Sequence, residues 1–267
     1  MKVLRTVAEA RDSARAVRSA GTSIGLVPTM GALHAGHLSL VRAARAENDV
    51  TAVTIFVNPA QFGPGEDLER YPRDEAGDVA LLDGEGVDLV FIPSADEMYP
   101  PGFDTWVEPG ALGTVLEGAI RPGHFRGVAT VCTKLFAIFG PERAYFGRKD
   151  AQQAAIIRQV VRELDLPLEI RVCPTVRDAD GLAISSRNAY LSADERAVAL
   201  ALPRALDAGL AAHRGGGDAV VAARVVLEAQ PGLTVDYVAR ADLDGQTLAA
   251  AIRVGRTRLI DNVELMT

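Results

Sequence analysis

Short, unbroken apolar runs alternate with amphipathic stretches along the first part of the chain. Residues 24–27, 50–57, 89–92, 144–146 and 168–172 are strand-length runs, as expected of strands buried on both faces. Between them, residues 36–47, 74–85, 127–139 and 150–164 read as helices. This alternation predicts a parallel sheet covered by helices on both faces. Ligands of such sheets bind beyond the carboxyl ends of the strands, so the loops that follow strands are where chemistry is expected. Near residue 176 the pattern changes. An Ala-rich helix is predicted over 193–213, Gly215, Gly216 and Gly217 break it, and a second helix covers 218–229. Strand-like segments follow at 234–239, 249–254 and 257–263. The expected architecture is an α/β parallel-sheet domain over residues 1–175 with a smaller α+β domain over 176–267.

Composition narrows the function. Apolar residues make up 48% of 267, enough for one large core and one small one. A net charge of −7 argues against a broad basic surface, so nucleic acid is not an expected partner. Cys132 and Cys173 sit in apolar runs and read as two buried free thiols. Residues 1–20 carry charges every few positions with no apolar signal core, and no apolar run reaches the roughly 18 residues of a membrane span. A soluble cytoplasmic protein with no membrane partner is therefore expected.

Four segments carry candidate chemistry. The first is Pro28-Thr29-Met30-Gly31-Ala32-Leu33-His34-Ala35-Gly36-His37, which leaves a buried strand and opens a helix. Glycines there let backbone approach a ligand, and the helix start offers free N–H groups to a phosphate. His34 and His37 lie three residues apart and can converge on one anion. Two structural histidines in a turn are the alternative. Zinc would need a third and fourth ligand, and no other His or Cys is close in sequence, so no metal site is expected.

The second segment, Ile55-Phe56-Val57-Asn58-Pro59-Ala60-Gln61-Phe62-Gly63, presents the neutral amides of Asn58 and Gln61 at a strand end. Asn-Pro is also a common turn. The third, Ala144-Tyr145-Phe146-Gly147-Arg148-Lys149-Asp150-Ala151-Gln152-Gln153, brings Lys149 to a strand end where it can neutralise a phosphate. Asp150 and Gln153 equally fit an N-cap and its capping-box partner. Adjacent residues in extended backbone point opposite ways, so if Lys149 reaches the phosphates, Arg148 is expected to turn away into solvent. The fourth, Val176 to Asn188, holds Ser185, Ser186 and Arg187, suited to a triphosphate or to an ordinary solvated loop.

The His34–His37 element resembles the H-x-G-H signature of the nucleotidyltransferase superfamily. All four segments in this order, together with Arg121-Pro122-Gly123-His124-Phe125-Arg126-Gly127, resemble the pantothenate synthetase (pantoate–β-alanine ligase) family across about residues 24–191. That resemblance implies a Rossmann-like first domain, a C-terminal lid domain and a homodimer. It implies condensation of pantoate with β-alanine through a pantoyl adenylate, with ATP as substrate, Mg2+ carried by its phosphates, and AMP and pyrophosphate released.

By the same resemblance, Met30, Gly31, Ala32, Leu33, His34, Ala35, Gly36 and His37 form the nucleotide loop, with His37 the proton donor to leaving pyrophosphate. Gly147 and Asp150 match ribose positions, Lys149 the phosphate lysine, Val176 an adenine contact, and Ser185, Ser186 and Arg187 a phosphate loop. Gln61 and Gln153 match the pantoate-binding amides, with Gln61 also near β-alanine and Asn58 beside them. Two residues of the nucleotide set depart from the family: Arg148 stands where Glu is usual, and Ile184 where Met is usual. A cytidylyltransferase or a non-catalytic nucleotide sensor are the alternatives. The first predicts a stable nucleotide product, the second ATP binding without pyrophosphate release.

Overall fold

The structure is a computed structural model that describes residues 1–266. The chain divides into two compact units, Met1–Gly147 with Gln152–Cys173, and Arg148–Ala151 with Pro174–Thr267. In chain order the first unit runs β1 (Lys2–Leu4), α1 (Val7–Ser19), β2 (Ile24–Thr29), α2 (Ala35–Glu47), β3 (Val50–Ile55), α3 (Glu75–Gly84), β4 (Leu89–Phe91), α4 (Ala95–Met98), α5 (Glu117–Ile120), α6 (His124–Phe139), β5 (Arg143–Gly147), α7 (Ala151–Glu163) and β6 (Glu169–Cys173). The element β1–α1, not anticipated from the apolar runs, is short and charged, and its helix starts at a capping box formed by Thr6 and Glu9.

The six strands form one parallel sheet in the order β1-β4-β3-β2-β5-β6. Strand alternation sends neighbouring residues to opposite faces, and here both faces are covered. Leu26, Ala52, Phe91, Ala144 and Phe146 pack on one side with α1, α6 and α7. Val27, Val53, Val90 and Tyr145 pack on the other with Leu40, Val41 and Ala44 of α2 and Leu82 of α3. The strand order reverses at β2, which lies between β3 and β5, so the crevice at its carboxyl end is the place where a ligand fits such a sheet.

The second unit contains α8 (Ala193–Ala199), α9 (Ala201–Arg214), α10 (Ala219–Glu228), β7 (Leu233–Asp242), β8 (Gln246–Val254) and β9 (Thr257–Glu264). The strands make an antiparallel meander, β7-β8-β9, whose core includes Leu248, Ala250 and Ile252 against Leu202, Leu206, Ala223 and Leu227 of the helices. The single helix expected over 193–213 is two, broken at Leu200. Pro203 gives the reason: it lacks an N–H and its ring excludes the carbonyl four residues back, so it fits the first turn of α9 and not the middle of a longer helix. Among the described residues no helix is long and apolar enough to cross a membrane.

Candidate active site

The turn after β2 is held by its own backbone and by one distant carboxylate. Thr29 Oγ1 donates to the Thr54 carbonyl at 2.6 Å and accepts from Gly31 N at 3.2 Å. Gly31 has φ +78°, and a Cβ there would lie 2.9 Å from Asp78 Oδ2 and 3.1 Å from Ile55 Cγ2, so glycine is needed on both counts. Ala32 also adopts a left-handed φ of +50°, a conformation that costs a non-glycine residue about 1 kcal/mol. Asp78 of α3 offsets that cost: its two oxygens accept from Ala32 N at 2.8 Å and Leu33 N at 2.7 Å. Burial pushes the Asp78 carboxyl above its ordinary pKa, against the two backbone donors that pull it down.

His34 is the N-cap of α2. Its extended backbone lets Nδ1 accept from Gly36 N at 3.2 Å. A ring that accepts at Nδ1 carries its neutral-form proton on Nε2. The His34 and His37 rings stack with centroids 4.0 Å apart and planes at 29°. The two rings thus lie side by side at the start of α2. Met30, Leu33 and Gly36 complete the turn, and a Cβ at Gly36 would press on the His34 ring at 3.0 Å.

Beyond β3, Asn58 caps a 3-10 turn, Pro59–Gln61, and is almost fully buried. Its Nδ2 donates to Gln61 Oε1 at 3.0 Å and to the Gly127 carbonyl at 3.1 Å. Its Oδ1 accepts from Tyr99 Oη at 2.8 Å and Ala60 N at 3.2 Å. All of its amide groups are thus engaged by protein, and it stands behind Gln61. Gln61 Nε2 in turn reaches Met30 Sδ at 3.1 Å, so the amide after β3 touches the turn after β2. Gly127 permits this packing, since a Cβ there would fall 2.2 Å from the Ala60 carbonyl oxygen.

The segment from Arg121 to Gly127 clamps the same turn. Arg121 pairs with Glu66 at 2.6 Å and donates to the Gln61 carbonyl at 3.3 Å. His124 Nδ1 donates to that carbonyl at 2.9 Å, while its Nε2 accepts from Arg121 at 3.1 Å, which fixes the tautomer. Burial, reinforced by the Arg121 charge, lowers the His124 pKa to about 4, so the ring is neutral near pH 7. At β5, Gly147 ends the strand, and a Cβ on it would meet no protein atom within 4 Å. Gln153 lies part-buried in the first turn of α7. Its neighbour Gln152 is the buried one, donating to the carbonyls of Leu112 and Val115 and accepting from Glu117 N.

The second unit carries the remaining residues. Lys149 Nζ lies 3.6 Å from Asp150 Oδ1. Arg148 does not face solvent as expected: its side chain is 14% exposed and pairs with Glu264 at 3.0 Å. It also donates to Thr247 Oγ1 at 2.9 Å and to the Leu243 carbonyl at 3.2 Å. The expectation assumed an extended backbone, whereas residues Arg148–Asp150 form a 3-10 turn that lays Arg148 on the sheet. Val176 and Ile184 are joined by a backbone bond, Ile184 N to the Val176 carbonyl at 3.0 Å, in a hairpin that turns at Gly181 with φ +91°. Ser185 then caps a 3-10 turn over Ser186–Tyr190, accepting from Arg187 N at 3.3 Å. Cys132 is buried, with its thiol pushed up to about 12, and Cys173 is only partly buried; both are free. Among the described residues no group of three or more His, Cys, Asp or Glu could hold a metal.

Asp78, Tyr99 and His124 support the site from outside the four segments that carry candidate chemistry. Asp78 lies in an ordinary acidic helix, and Tyr99 stands outside every motif. Only His124 has a local signal, its place in the segment 121–127.

A parallel sheet with a histidine-capped helix at its switch point and buried amides beside it defines a nucleotide-using enzyme. The family model for pantoate-beta-alanine ligase matches residues 2–264. A pantothenate synthetase from Roseiflexus sp. (strain RS-1) is 57% identical over 99% of both chains, and one from Moorella thermoacetica is 53% identical over 99% of both. The pantothenate synthetase structure from Thermus thermophilus superposes with a TM-score of 0.93 at 46% identity, covering 100% of each chain. The Francisella tularensis pantoate-beta-alanine ligase, solved with beta-gamma ATP and beta-alanine, matches with a TM-score of 0.87 at 34% identity, over 100% of this chain and 98% of that one. The chain belongs to the pantoate–β-alanine ligase family.

Proposed function

We propose that the chain condenses pantoate with β-alanine in two steps, through a pantoyl adenylate. A pantoate carboxylate oxygen attacks the α-phosphorus of Mg-ATP, and the bond to the bridging oxygen breaks to release pyrophosphate. The β-alanine amine then attacks the acyl carbon, loses a proton, and AMP leaves. The observation that carries this reading is the contact of Gln61 Nε2 with Met30 Sδ, which sets an amide suited to a carboxylate against the turn suited to a nucleotide.

Each residue takes a role that follows its chemistry. Met30 to His37 receive the nucleotide at the start of α2, where free N–H groups and the helix dipole favour phosphate. His34 and His37 stabilise charge on the phosphates, and His37 donates a proton to pyrophosphate. Gln61 and Gln153 hold pantoate, and Gln61 also faces β-alanine; Asn58 acts through Gln61. Gly147 and Asp150 take the ribose, the open space at Gly147 supporting a close approach. Val176 and Ile184 border the adenine. Lys149, Ser185, Ser186 and Arg187 take the phosphates, where fixed donors and cations stabilise charge as it develops. Arg148 belongs to this set through its backbone. Residues 176–267 serve as the lid that keeps water from the adenylate. Mg2+ arrives with ATP as part of the substrate. A cytoplasmic homodimer completes the reading; ATP as co-substrate supports the location, and light scattering on the purified chain checks the dimer.

The deciding experiment is pyrophosphate–ATP exchange with each acid alone. Pantoate alone is expected to support exchange and β-alanine alone is not. Exchange that requires β-alanine would rule out the adenylate, and a stable nucleotide product would favour a nucleotide transfer to an alcohol.

A further inference from the structure

The last strand of the chain carries two adjacent buried polar residues, Asp261 and Asn262. Each is bonded to a different segment of the second unit. Asp261 accepts both guanidinium arms of Arg177, at 2.6 and 3.1 Å, and so fastens the start of the hairpin that leads to Ser185 and Arg187. It also accepts from Asn262 N at 2.8 Å, which ties the pair together. Asn262 points its Nδ2 at two main-chain carbonyls, Arg148 O and Lys149 O, each at 2.9 Å. An amide with its two hydrogens on consecutive carbonyls fixes the two peptide groups that flank the Lys149 Cα. The Arg148 side chain adds a second anchor on the same strand through Glu264.

We propose that Asn262 is a positioning residue for Lys149: it holds the Arg148–Lys149 turn so that the Lys149 ammonium is presented to the phosphates. The inference rests on the assignment of Lys149 to the phosphates made above. Its physical basis is preorganisation. A flexible lysine stem loses entropy when it is ordered on a ligand, and a turn fixed beforehand limits the loss to the side chain. Nothing in the local sequence of the last strand marks Asn262 for this role. Its two acceptors lie 114 and 113 residues away.

The test is a double-mutant cycle on the full chain with Asn262→Ala, Asn262→Asp and Lys149→Ala. Asn262→Asp is nearly isosteric but turns an acceptor towards two carbonyl oxygens, so it removes the clamp with little change of volume. Rates of pyrophosphate release are read as kcat and as kcat/KM for ATP and for pantoate, with a thermal melt on every variant. Lys149→Ala is expected to lower turnover by about 10²–10³, the scale of one preorganised donor. Asn262→Ala and Asn262→Asp are expected to lower kcat/KM for ATP by roughly ten- to a hundredfold, and Asn262→Ser, which keeps one donor, by less. In the Lys149→Ala background the further loss from either Asn262 change should shrink to under about threefold, because residues that act through one another are not additive. A purely structural role moves the melting temperature and leaves the losses multiplicative. Folded Asn262 variants with parental kcat/KM, or losses that multiply, overturn the proposal. A Lys149→Ala variant with parental turnover overturns the underlying assignment of Lys149 instead. If Asn262→Ala does not fold, Asn262→Ser with a near-parental melt decides the question in the same cycle.

Discussion

The carboxylate of Asp78 holds Leu33 by its backbone N–H at 2.7 Å, although the two residues are 45 positions apart. The second oxygen holds Ala32, so this one side chain secures the left-handed step in the turn after β2. Asn at this position offers a single acceptor and turns an NH2 group towards the other N–H. A buried donor left unmet costs about 1–3 kcal/mol. Asp78→Asn is therefore expected to lower the melting temperature and raise KM for ATP more than KM for β-alanine. Equal changes in both constants would argue that the turn does not serve the nucleotide.

Asn58 and Gln61 permit a sharper test of positioning. Asn58→Asp places carboxylate oxygens opposite Gln61 Oε1 and the Gly127 carbonyl, both acceptors. The loss of two buried hydrogen bonds and the added repulsion are expected to cost about 2–4 kcal/mol. Gln61 loses its orientation in the same change, so KM for pantoate should rise in the folded fraction. Steady-state kinetics at saturating ATP and β-alanine measure it; a parental KM for pantoate in a folded variant would separate Asn58 from the acid site.

Arg148 is expected to matter for stability rather than for substrate contact. Arg148→Glu sets a carboxylate beside Glu264 and leaves Thr247 and the Leu243 carbonyl without their donor. Because Glu264 is 41% exposed, solvent screens part of the repulsion, and the cost should be about 1–3 kcal/mol. The exchange Arg148→Glu with Glu264→Arg should recover part of it. Urea denaturation of the three chains provides the comparison, and no recovery in the exchanged pair would show that the ion pair is not the source.

His124 predicts a pH dependence. Its folded pKa of about 4 lies below the ordinary value of about 6.5, so the unfolded chain binds the proton more tightly. The stability it contributes is complete above about pH 6.5, declines as pH falls, and is lost below about pH 4, a change of roughly 3 kcal/mol at 1.36 kcal/mol per pH unit. His124→Gln removes that titration. The stability gap between the parent and this variant should therefore narrow from pH 7 to pH 4. A constant gap across that range would mean that the ring is not held neutral.

The regular framework of the first unit was legible as pattern. Runs such as Leu26-Val27 and Ala144-Tyr145-Phe146 feed both faces of a covered sheet, and that requirement writes itself into consecutive residues. The helix expected over 36–47 was equally local, whereas the cap that His34 makes at its start shows only in the structure. The motif order also indicated the family that the full-length comparisons identify. The direction of Arg148 was not legible, because it depends on a 3-10 turn and on Glu264, which is 116 residues away by their numbers in the chain. Asp78, Asn58's commitment to Gly127 and Tyr99, and the Asn262 clamp are of the same kind. Secondary structure follows from repeated short-range preferences that any window of the chain displays. A hydrogen bond between side chain and distant backbone leaves no such repeat, and its partner is chosen when packing brings two remote segments together and removes water from between them.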